Sequence, residues 1–122
     1  MIIVTGGTRG IGRACVEHLA REGARVVFTG RDCDAGRQIE HSVAAATYVA
    51  CDVSVEADCR RAVDTALELG NGRIDGLVNN AGMSSRVAFA ASVAADWDNM
   101  MAVNARSAFL FTRFALPGLI AA

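Results

Sequence analysis

The sequence predicts an α/β protein with a doubly wound parallel sheet and a layer of helices on each face. Short apolar runs alternate with segments of helical periodicity along the whole chain. The apolar runs are continuous, as is typical of parallel strands that are covered on both faces. The order is β-α-β-α-β-α-β-α, and right-handed crossovers turn its four strands and their helices into three layers.

The first half of the chain begins with a strand, a turn and an amphipathic helix. Ile11, Cys15 and Leu19 recur at i, i+4 and i+8 and are predicted to face inward, and Gly23 ends the helix. The predicted elements of this half are a strand at 2–5, a helix at 11–22, a strand at 25–29, a helix from 35 to about 41 and a strand at 47–51.

The second half is predicted to hold two helices around one strand. Ser54 is the expected N-cap of the first helix, and Glu56 and Asp58 face its positive end. That helix stops at residues 70–72, a strand follows at 74–78, and a long helix runs from about 93 towards 120 with a bend near Asn104. The inward residues of the first helix are Ala62, Val63, Ala66 and Leu67.

Composition indicates one globular domain over residues 1–122, of which 52% are hydrophobic. The net charge of −1 provides no basic field for nucleic acid or a membrane surface. Four cysteines without CxxC spacing and only two histidines predict no metal site. Buried thiols in a reducing cytoplasm are the simplest interpretation, since no signal peptide or membrane-length apolar run is seen.

The turn after the first strand, Thr5-Gly-Gly-Thr-Arg-Gly-Ile-Gly12, is rich in glycine. It lies where a doubly wound sheet binds ligands, before a helix whose free N–H groups suit a phosphate. Gly6 and Gly7 are expected to permit the turn, Gly10 to let a ligand approach, and Gly12 to let the helix pack closely. The chain lacks the Lys-Ser/Thr end of a nucleoside-triphosphate loop. The alternative is a glycine-rich turn without a ligand.

Four ordered motifs resemble the short-chain dehydrogenase/reductase family, classical type. They are the T-G-x-x-x-G-x-G turn at 5–12, Asp52-Val53, the N-N-A-G sequence at 79–82, and Trp97-Asp98 followed by Val103-Asn104. The resemblance covers essentially the whole chain and corresponds to the amino-terminal half of the family. It implies a Rossmann-type, NAD(P)-binding domain that is incomplete relative to the family.

The resemblance implies roles for individual residues. Asp52 would accept from the adenine amino group, the alternative being a plain strand-end cap, and Asn79 would tie neighbouring strands together. Asn104 matches the catalytic-site Asn, whose carbonyl holds a relay water, or else it is a polar residue at a helix bend. The implied cofactor-binding residues are Gly6, Thr8, Arg9, Gly10, Ile11, Gly12, Arg31, Asp52, Val53, Asn80, Ala81 and Gly82.

Charge at the end of the second strand favours NADP(H) over NAD(H). NAD sites place an acid there for the ribose 2′-OH, and the matching residue in this chain is Gly30, followed by Arg31. Arg31 and Arg9 would clamp a 2′-phosphate. Asp32 leaves two alternatives, because it would pair with Arg31 or be the ribose acid itself. Arg31 as a plain solvated charge is a third.

The implied activity is hydride transfer between a nicotinamide and a carbonyl or alcohol substrate. The family's Ser and Tyr-x-x-x-Lys are not found: Tyr48 is the single tyrosine, there is no lysine, and Ser84 and Ser85 come too early. The chain alone is therefore expected to be inactive unless the missing half is supplied. The alternatives are a non-catalytic dinucleotide-binding module and an inactive truncated remnant.

Packing considerations predict a homo-oligomer or a tendency to aggregate. The fourth strand should be an exposed sheet edge, and the last helix is apolar on more than one face. Beyond a dinucleotide and another subunit, no nucleic acid or membrane partner is expected.

Overall fold

The computed structural model describes residues 1–122 and contains four strands and five helices. Every predicted element is present in the predicted order, with boundaries that differ by one or two residues. The elements are β1 (Ile2–Val4), α1 (Gly10–Arg21), β2 (Val26–Gly30), α2 (Cys33–Ser42), β3 (Ala46–Ala50), α3 (Glu56–Leu69), β4 (Gly76–Val78), α4 (Ala94–Met101) and α5 (Ser107–Ile120).

The four strands form one parallel sheet in the order β3-β2-β1-β4. Ile3 pairs with Val27 on one side and with Leu77 on the other. The strand order reverses at β1, because β2 and β4 lie on its two sides, and such a switch point opens a crevice at the carboxyl ends of the strands. β4 is an edge strand, as expected.

Two apolar clusters cover the two faces of the sheet and confirm the three-layer architecture. On one face, Ile3 and Val27 pack with residues of α3 and α5, including Val63 and Phe111. On the other face, Val4, Val26 and Phe28 pack with α1 and α2 through Val16 and Ile39. Continuous apolar strands are therefore buried from both sides, as the sequence pattern predicts.

The predicted inward face of α1 is wrong by one residue. Ile11 is 78% exposed, whereas Gly12 and Val16 are buried and Cys15 and Leu19 lie at the edge of the interface. The backbone of α1 comes closest to its surroundings at Gly12, whose missing side chain leaves room for the Gly6 carbonyl and the Asn80 amide. A hydrophobicity pattern does not register such a position.

Ser54 is not the N-cap of α3, contrary to the prediction. The cap is Val55, which makes no side-chain capping bond. The Ser54 hydroxyl donates instead to Asp52 Oδ1 at 2.6 Å. The acidic first turn with Glu56 and Asp58 is as expected.

The long helix changes its winding around Asn104, the position at which a bend is predicted. Residues 102–106 form a π-helical turn that joins α4 to α5, so the helix is wider there by an extra residue. The Ser107 hydroxyl donates to the Val103 carbonyl within this turn. No helix has both the length and the apolar character needed to cross a membrane.

The four cysteines are free thiols, but only two of them are buried. Cys33 is exposed and Cys15 is half-buried, so the expectation of buried thiols holds for Cys51 and Cys59 alone. A hydrogen bond with the Cys59 thiol, together with burial, raises the pKa of Cys51. Cys51 therefore remains a neutral thiol at neutral pH.

Candidate functional site

A groove of about 580 Å³ lies at the carboxyl ends of the strands, where the strand order reverses. Turns that follow all four strands line it. All twelve residues that were expected to bind a cofactor are among its 17 lining residues. Asn104 is not among them, although its neighbour Val103 is. The other five lining residues are Gly30, Asp32, Cys51, Met83 and Val103; the sequence points to Gly30 and Asp32 at the ribose position, whereas it predicts no role in binding for Cys51, Met83 or Val103.

The glycine turn brings backbone to the groove where side chains would fill it. Gly6 and Gly10 have φ angles of 67° and 56°, a region that disfavours a Cβ. A Cβ on Gly12 would lie 2.0 Å from the Gly6 carbonyl oxygen and 2.4 Å from Asn80 Nδ2. Gly7 does not serve the turn as expected: its φ is not positive, and its Cβ would lie 2.8 Å from that of Phe28. Gly7 is thus a packing residue.

The amino terminus of α1 points its free N–H groups at this groove. Gly10, Ile11 and Gly12 begin the helix and line the groove. The N-cap residue, Arg9, makes no side-chain capping bond, and the first turn holds no acid. First-turn N–H groups without acceptors and the positive end of the helix dipole together form a site suited to an anion.

Thr5 and Asn80 join the ends of β1 and β4. The Thr5 hydroxyl oxygen accepts from the Asn80 and Ala81 N–H groups, both at 3.0 Å. The Asn80 amide donates to the Thr5 and Gly6 carbonyls at 2.9 and 3.0 Å. Asn79 was expected to make this link, but its amide donates to Thr112 in α5. Asn80 therefore fixes the glycine turn against the loop that follows β4.

Asp52 begins a turn that is fixed by its own hydrogen bonds. Its Oδ1 accepts from both the N–H and the hydroxyl of Ser54. These two bonds hold the pKa of Asp52 below its usual value. The Asp52 N–H donates to Asp58 Oδ2, and that bond, with the Arg61 guanidinium, lowers the pKa of Asp58. Both carboxylates are therefore ionised at neutral pH.

Arg9 and Arg31 lie in the groove without partners in the chain. Both are exposed, and neither makes a salt bridge or a side-chain hydrogen bond. Asp32 does not pair with Arg31, because its Oδ1 accepts from the Ala35 N–H and caps α2. Two guanidinium groups are thus available to an anion at this end of the groove.

Thr8 occupies the space beside Gly30. A Cβ on Gly30 would lie 2.4 Å from Thr8 Cγ2 and 2.8 Å from Thr8 Oγ1. A threonine has two γ atoms for three staggered positions, so rotation about χ1 leaves at least one of these two positions filled. The end of β2 therefore accommodates glycine and disfavours an acid.

Asn104 holds the loop after β4. Its Oδ1 accepts from the Met83 N–H at 2.7 Å, and its Nδ2 donates to the Met83 carbonyl at 2.8 Å. Met83 and Gly82 line the groove, so Asn104 shapes it from behind. The long-range contact between Asn104 and Met83 is not visible in the sequence, although Met83 directly follows the N-N-A-G motif.

Tyr48, the single tyrosine, is placed away from proton-transfer chemistry. Its hydroxyl donates to the Gly30 carbonyl at 2.7 Å, and it does not line the groove. Burial, followed by a hydrogen bond with Cys33, raises the pKa of Tyr48. No cluster of metal-ligating side chains is present.

The sequence of this chain is similar to a known protein family and to individual proteins within it. The family model described as short chain dehydrogenase matches residues 1–122. The sex determination protein tasselseed-2 of Zea mays is similar, with 45% identity over 119 residues that cover 93% of this chain and 35% of that protein.

Solved structures give the same answer. A metagenomic short-chain oxidoreductase in complex with NADP matches with a TM-score of 0.88 and 36% identity, over 99% of this chain and 57% of that one. A 3-ketoacyl-(acyl-carrier-protein) reductase from Brucella melitensis, complexed with NADH, matches with a TM-score of 0.88 and 34% identity, over 96% and 48% of the two chains. The chain thus spans about a third to somewhat over half of the length of these proteins.

Proposed function

The chain belongs to the short-chain dehydrogenase family, and we propose that residues 1–122 form the dinucleotide-binding domain of a nicotinamide-dependent oxidoreductase. The observation that carries this proposal is that one groove collects all twelve expected cofactor-binding residues at the switch point of the sheet. The proposal extends to the cofactor contacts and to the substrate class, as follows.

The residues present fit a dinucleotide along the groove. The first turn of α1 would hold the pyrophosphate, because its N–H groups lack acceptors and no side chain intervenes at Gly10. Asp52 Oδ2 makes no hydrogen bond within the chain, which leaves it to accept from an adenine amino group beside Val53. Asn80, Ala81 and Gly82 would line the ribose on the nicotinamide side.

NADP(H) is the preferred cofactor in this proposal. Arg9 and Arg31 have no partners in the chain, and a 2′-phosphate would form charge-assisted hydrogen bonds with both. An acid for the ribose of NAD is absent at Gly30, where Thr8 fills the space. The similar structures include an NADP complex and an NADH complex, so both cofactors occur among them.

The proposed reaction is hydride transfer with a carbonyl or secondary alcohol. The bound nicotinamide would supply the hydride, and the protein would supply orientation and proton transfer. Asn104 is the one residue here expected to serve the proton relay. The Ser and Tyr-x-x-x-Lys expected of the family have no counterpart in residues 1–122, so we expect no turnover by this segment alone.

A non-catalytic dinucleotide-binding module is the second candidate. It is favoured by the position of Tyr48, which is bonded to a carbonyl, has a raised pKa and lies outside the groove. In that case the segment would bind NADPH but would not take part in catalysis. Turnover would stay absent even after the segment was joined to the remaining part of a family member. An assay of a reconstituted, family-length protein with generic carbonyl substrates separates the two candidates.

The outer face of α4 and α5 is the proposed contact with another subunit. Trp97 in α4 and Phe109 and Ile120 in α5 are 63%, 63% and 76% exposed. Apolar patches of this kind mark interfaces. Light scattering is expected to give a mass above that of one chain, and a monodisperse monomer would contradict this assignment.

The free thiols support the expected reducing, cytoplasmic compartment.

The cofactor proposal is tested by titrating the chain with NADPH and with NADH. Calorimetry and nicotinamide fluorescence measure the binding. We expect saturable binding that is at least about tenfold tighter for NADPH. Preference for NADH would point to Asp32 as the ribose acid. If the chain binds neither cofactor, the proposed function is wrong.

A further inference from the structure

The turn after β3 and the loop after β4 line the same groove from opposite edges of the sheet. The order β3-β2-β1-β4 places two strands between them. At about 4.8 Å per strand spacing, β3 and β4 lie roughly 14 Å apart, too far for a direct backbone hydrogen bond. Sheet pairing links the two walls only through β2 and β1, so a contact from outside the sheet can join them more directly.

The π-helical turn between α4 and α5 reaches both walls with two side chains. Asn104 bonds both backbone groups of Met83 in the loop after β4. Arg106 donates from Nη2 to the Ser54 carbonyl, at 2.6 Å, in the turn after β3. Residues two apart in a helix lie on nearly opposite sides, so one turn is able to serve two directions.

The Arg106 contact falls on a turn whose other hydrogen bonds run within the turn, to α3 and to Gly30 at the end of β2. Ser54 is bound to Asp52, and Asp52 is bound to Asp58 of α3. Arg61 of α3 donates to the Ala50 carbonyl at the end of β3. These bonds fix the shape of the turn, whereas the bond from Arg106 is the one that ties it to the helix carrying Asn104.

We propose that Arg106 is a positioning residue that couples the β3 wall of the groove to the β4 wall through the π-helical turn. Contact of the adenosine end of a cofactor with Asp52 and Val53 is then transmitted, through Ser54 and Arg106, to Asn104 and Met83. Arg106 lines no part of the groove and touches no cofactor itself. This inference rests on the proposed function for the identity of the ligand.

Amide hydrogen exchange at Met83 tests the coupling, since Asn104 holds that N–H. In the ligand-free chain, Arg106→Ala is expected to speed exchange at Met83 by about threefold to tenfold, the effect of losing one exposed charge-assisted bond. Arg106→Lys, which keeps a donor, should restore part of the protection. Arg21→Ala removes an exposed arginine on α1 and should leave Met83 unchanged.

A second experiment repeats the exchange measurement with adenosine 2′,5′-bisphosphate, which would fill only the adenosine end of the groove. In the wild-type chain it should slow exchange at both Ser54 and Met83. In Arg106→Ala it should slow exchange at Ser54 alone. Protection of Met83 that persists in Arg106→Ala, or exchange at Met83 that is unaltered in the ligand-free variant, overturns the coupling.

The two proposals fail in distinguishable ways. If the wild-type chain binds neither the bisphosphate nor NADPH, the proposed function fails, and the ligand-free comparison still decides whether Arg106 holds the walls together. If the wild-type chain binds both and Met83 responds equally in wild type and Arg106→Ala, the cofactor proposal stands and the role of Arg106 is wrong. Circular dichroism of each variant confirms that the fold is retained.

Discussion

The charged side chains at the two ends of the groove differ in what they bind within the chain. At the β3 end, Asp52 accepts hydrogen bonds from the N–H and the hydroxyl of Ser54. Asp58 accepts from the Asp52 N–H and from the Arg61 guanidinium. At the β2 end, Arg9 and Arg31 have no partner. Asp58 and the Oδ1 atom of Asp52 fix the shape of a turn, whereas Asp52 Oδ2 and the two guanidinium groups are left to a ligand. Internal partners thus separate the groups that build the site from the groups that are free to bind a ligand.

The largest effect is expected at Gly12, which builds the site through the absence of a side chain. Gly12→Ala should cost about 3 kcal/mol or more of unfolding free energy and abolish NADPH binding, because its Cβ meets the Gly6 carbonyl at 2.0 Å. Urea unfolding and a cofactor titration measure both.

Gly23→Ala is the matched control for that variant. Gly23 has a φ of 89° with open space around its Cβ position, so the change should cost only about 1–2 kcal/mol and leave binding intact. Equal losses of stability in the two variants would show that the close contacts at Gly12 relax, and that they cost no more than the backbone strain at Gly23.

Thr5 provides the next largest effect, again on a residue that builds the site. Thr5→Val keeps the shape but removes the acceptor of the Ala81 N–H and one of the two acceptors of the Asn80 N–H, which also donates to the Val78 carbonyl; it should cost about 1–3 kcal/mol. Thr5→Ser keeps the oxygen and should retain most of the stability. If Val and Ser variants unfold at the same urea concentration, the hydroxyl does not hold the β1 and β4 ends together.

Arg9 and Arg31 should show the opposite behaviour, with affinity lost and stability kept. Each change to Ala is expected to weaken NADPH binding about tenfold or more, since a charge-assisted pair with the 2′-phosphate is removed. NADH affinity and the unfolding midpoint should stay close to wild type, because neither arginine has a partner in the chain. Arg21→Ala serves as the control for charge alone.

A parallel loss of NADPH and NADH affinity in Arg9→Ala and Arg31→Ala would contradict the comparison. It would mean that the arginines act on the shared pyrophosphate or on the shape of the turn. A loss of stability without ligand would mean that they, too, build the site.

The sequence predicts the fold well because its signals are local. Apolar runs, glycine turns and the motif at Asn104 each lie within a few residues, and the order of strands and helices along the chain follows from them. The same local signals bring all twelve expected residues into the groove. What they leave out are contacts between distant segments, such as those from Asn104 to Met83 and from Arg106 to Ser54.

Two wrong predictions have related physical causes. The apolar side chain of Ile11 predicts an inward position, yet the close approach of α1 to the glycine turn and to Asn80 occurs at Gly12, which contributes no hydrophobicity. Ser54 was assigned to the helix because capping is its commonest role, yet an acceptor two residues earlier, Asp52, competes for the same hydroxyl. Sequence alone does not decide between two nearby partners.

Ser54→Ala measures that competition and carries the smallest expected effect. The folded-state pKa of Asp52 lies below the ordinary value of 3.8, chiefly through the Ser54 hydroxyl and then the Ser54 N–H. Its stabilising contribution is therefore present above the unfolded pKa and is lost as pH falls through the folded one.

Removal of the Ser54 hydroxyl should raise the Asp52 pKa towards 3.8 without reaching it, because the bond from the Ser54 N–H remains. Acid unfolding should then begin at a slightly higher pH. A carboxyl titration followed by NMR gives the value directly, with Ser92→Ala, far from Asp52, as the control. An unchanged Asp52 pKa would mean that the backbone alone sets this turn, and that Ser54 contributes its carbonyl to Arg106 but not its hydroxyl to the site.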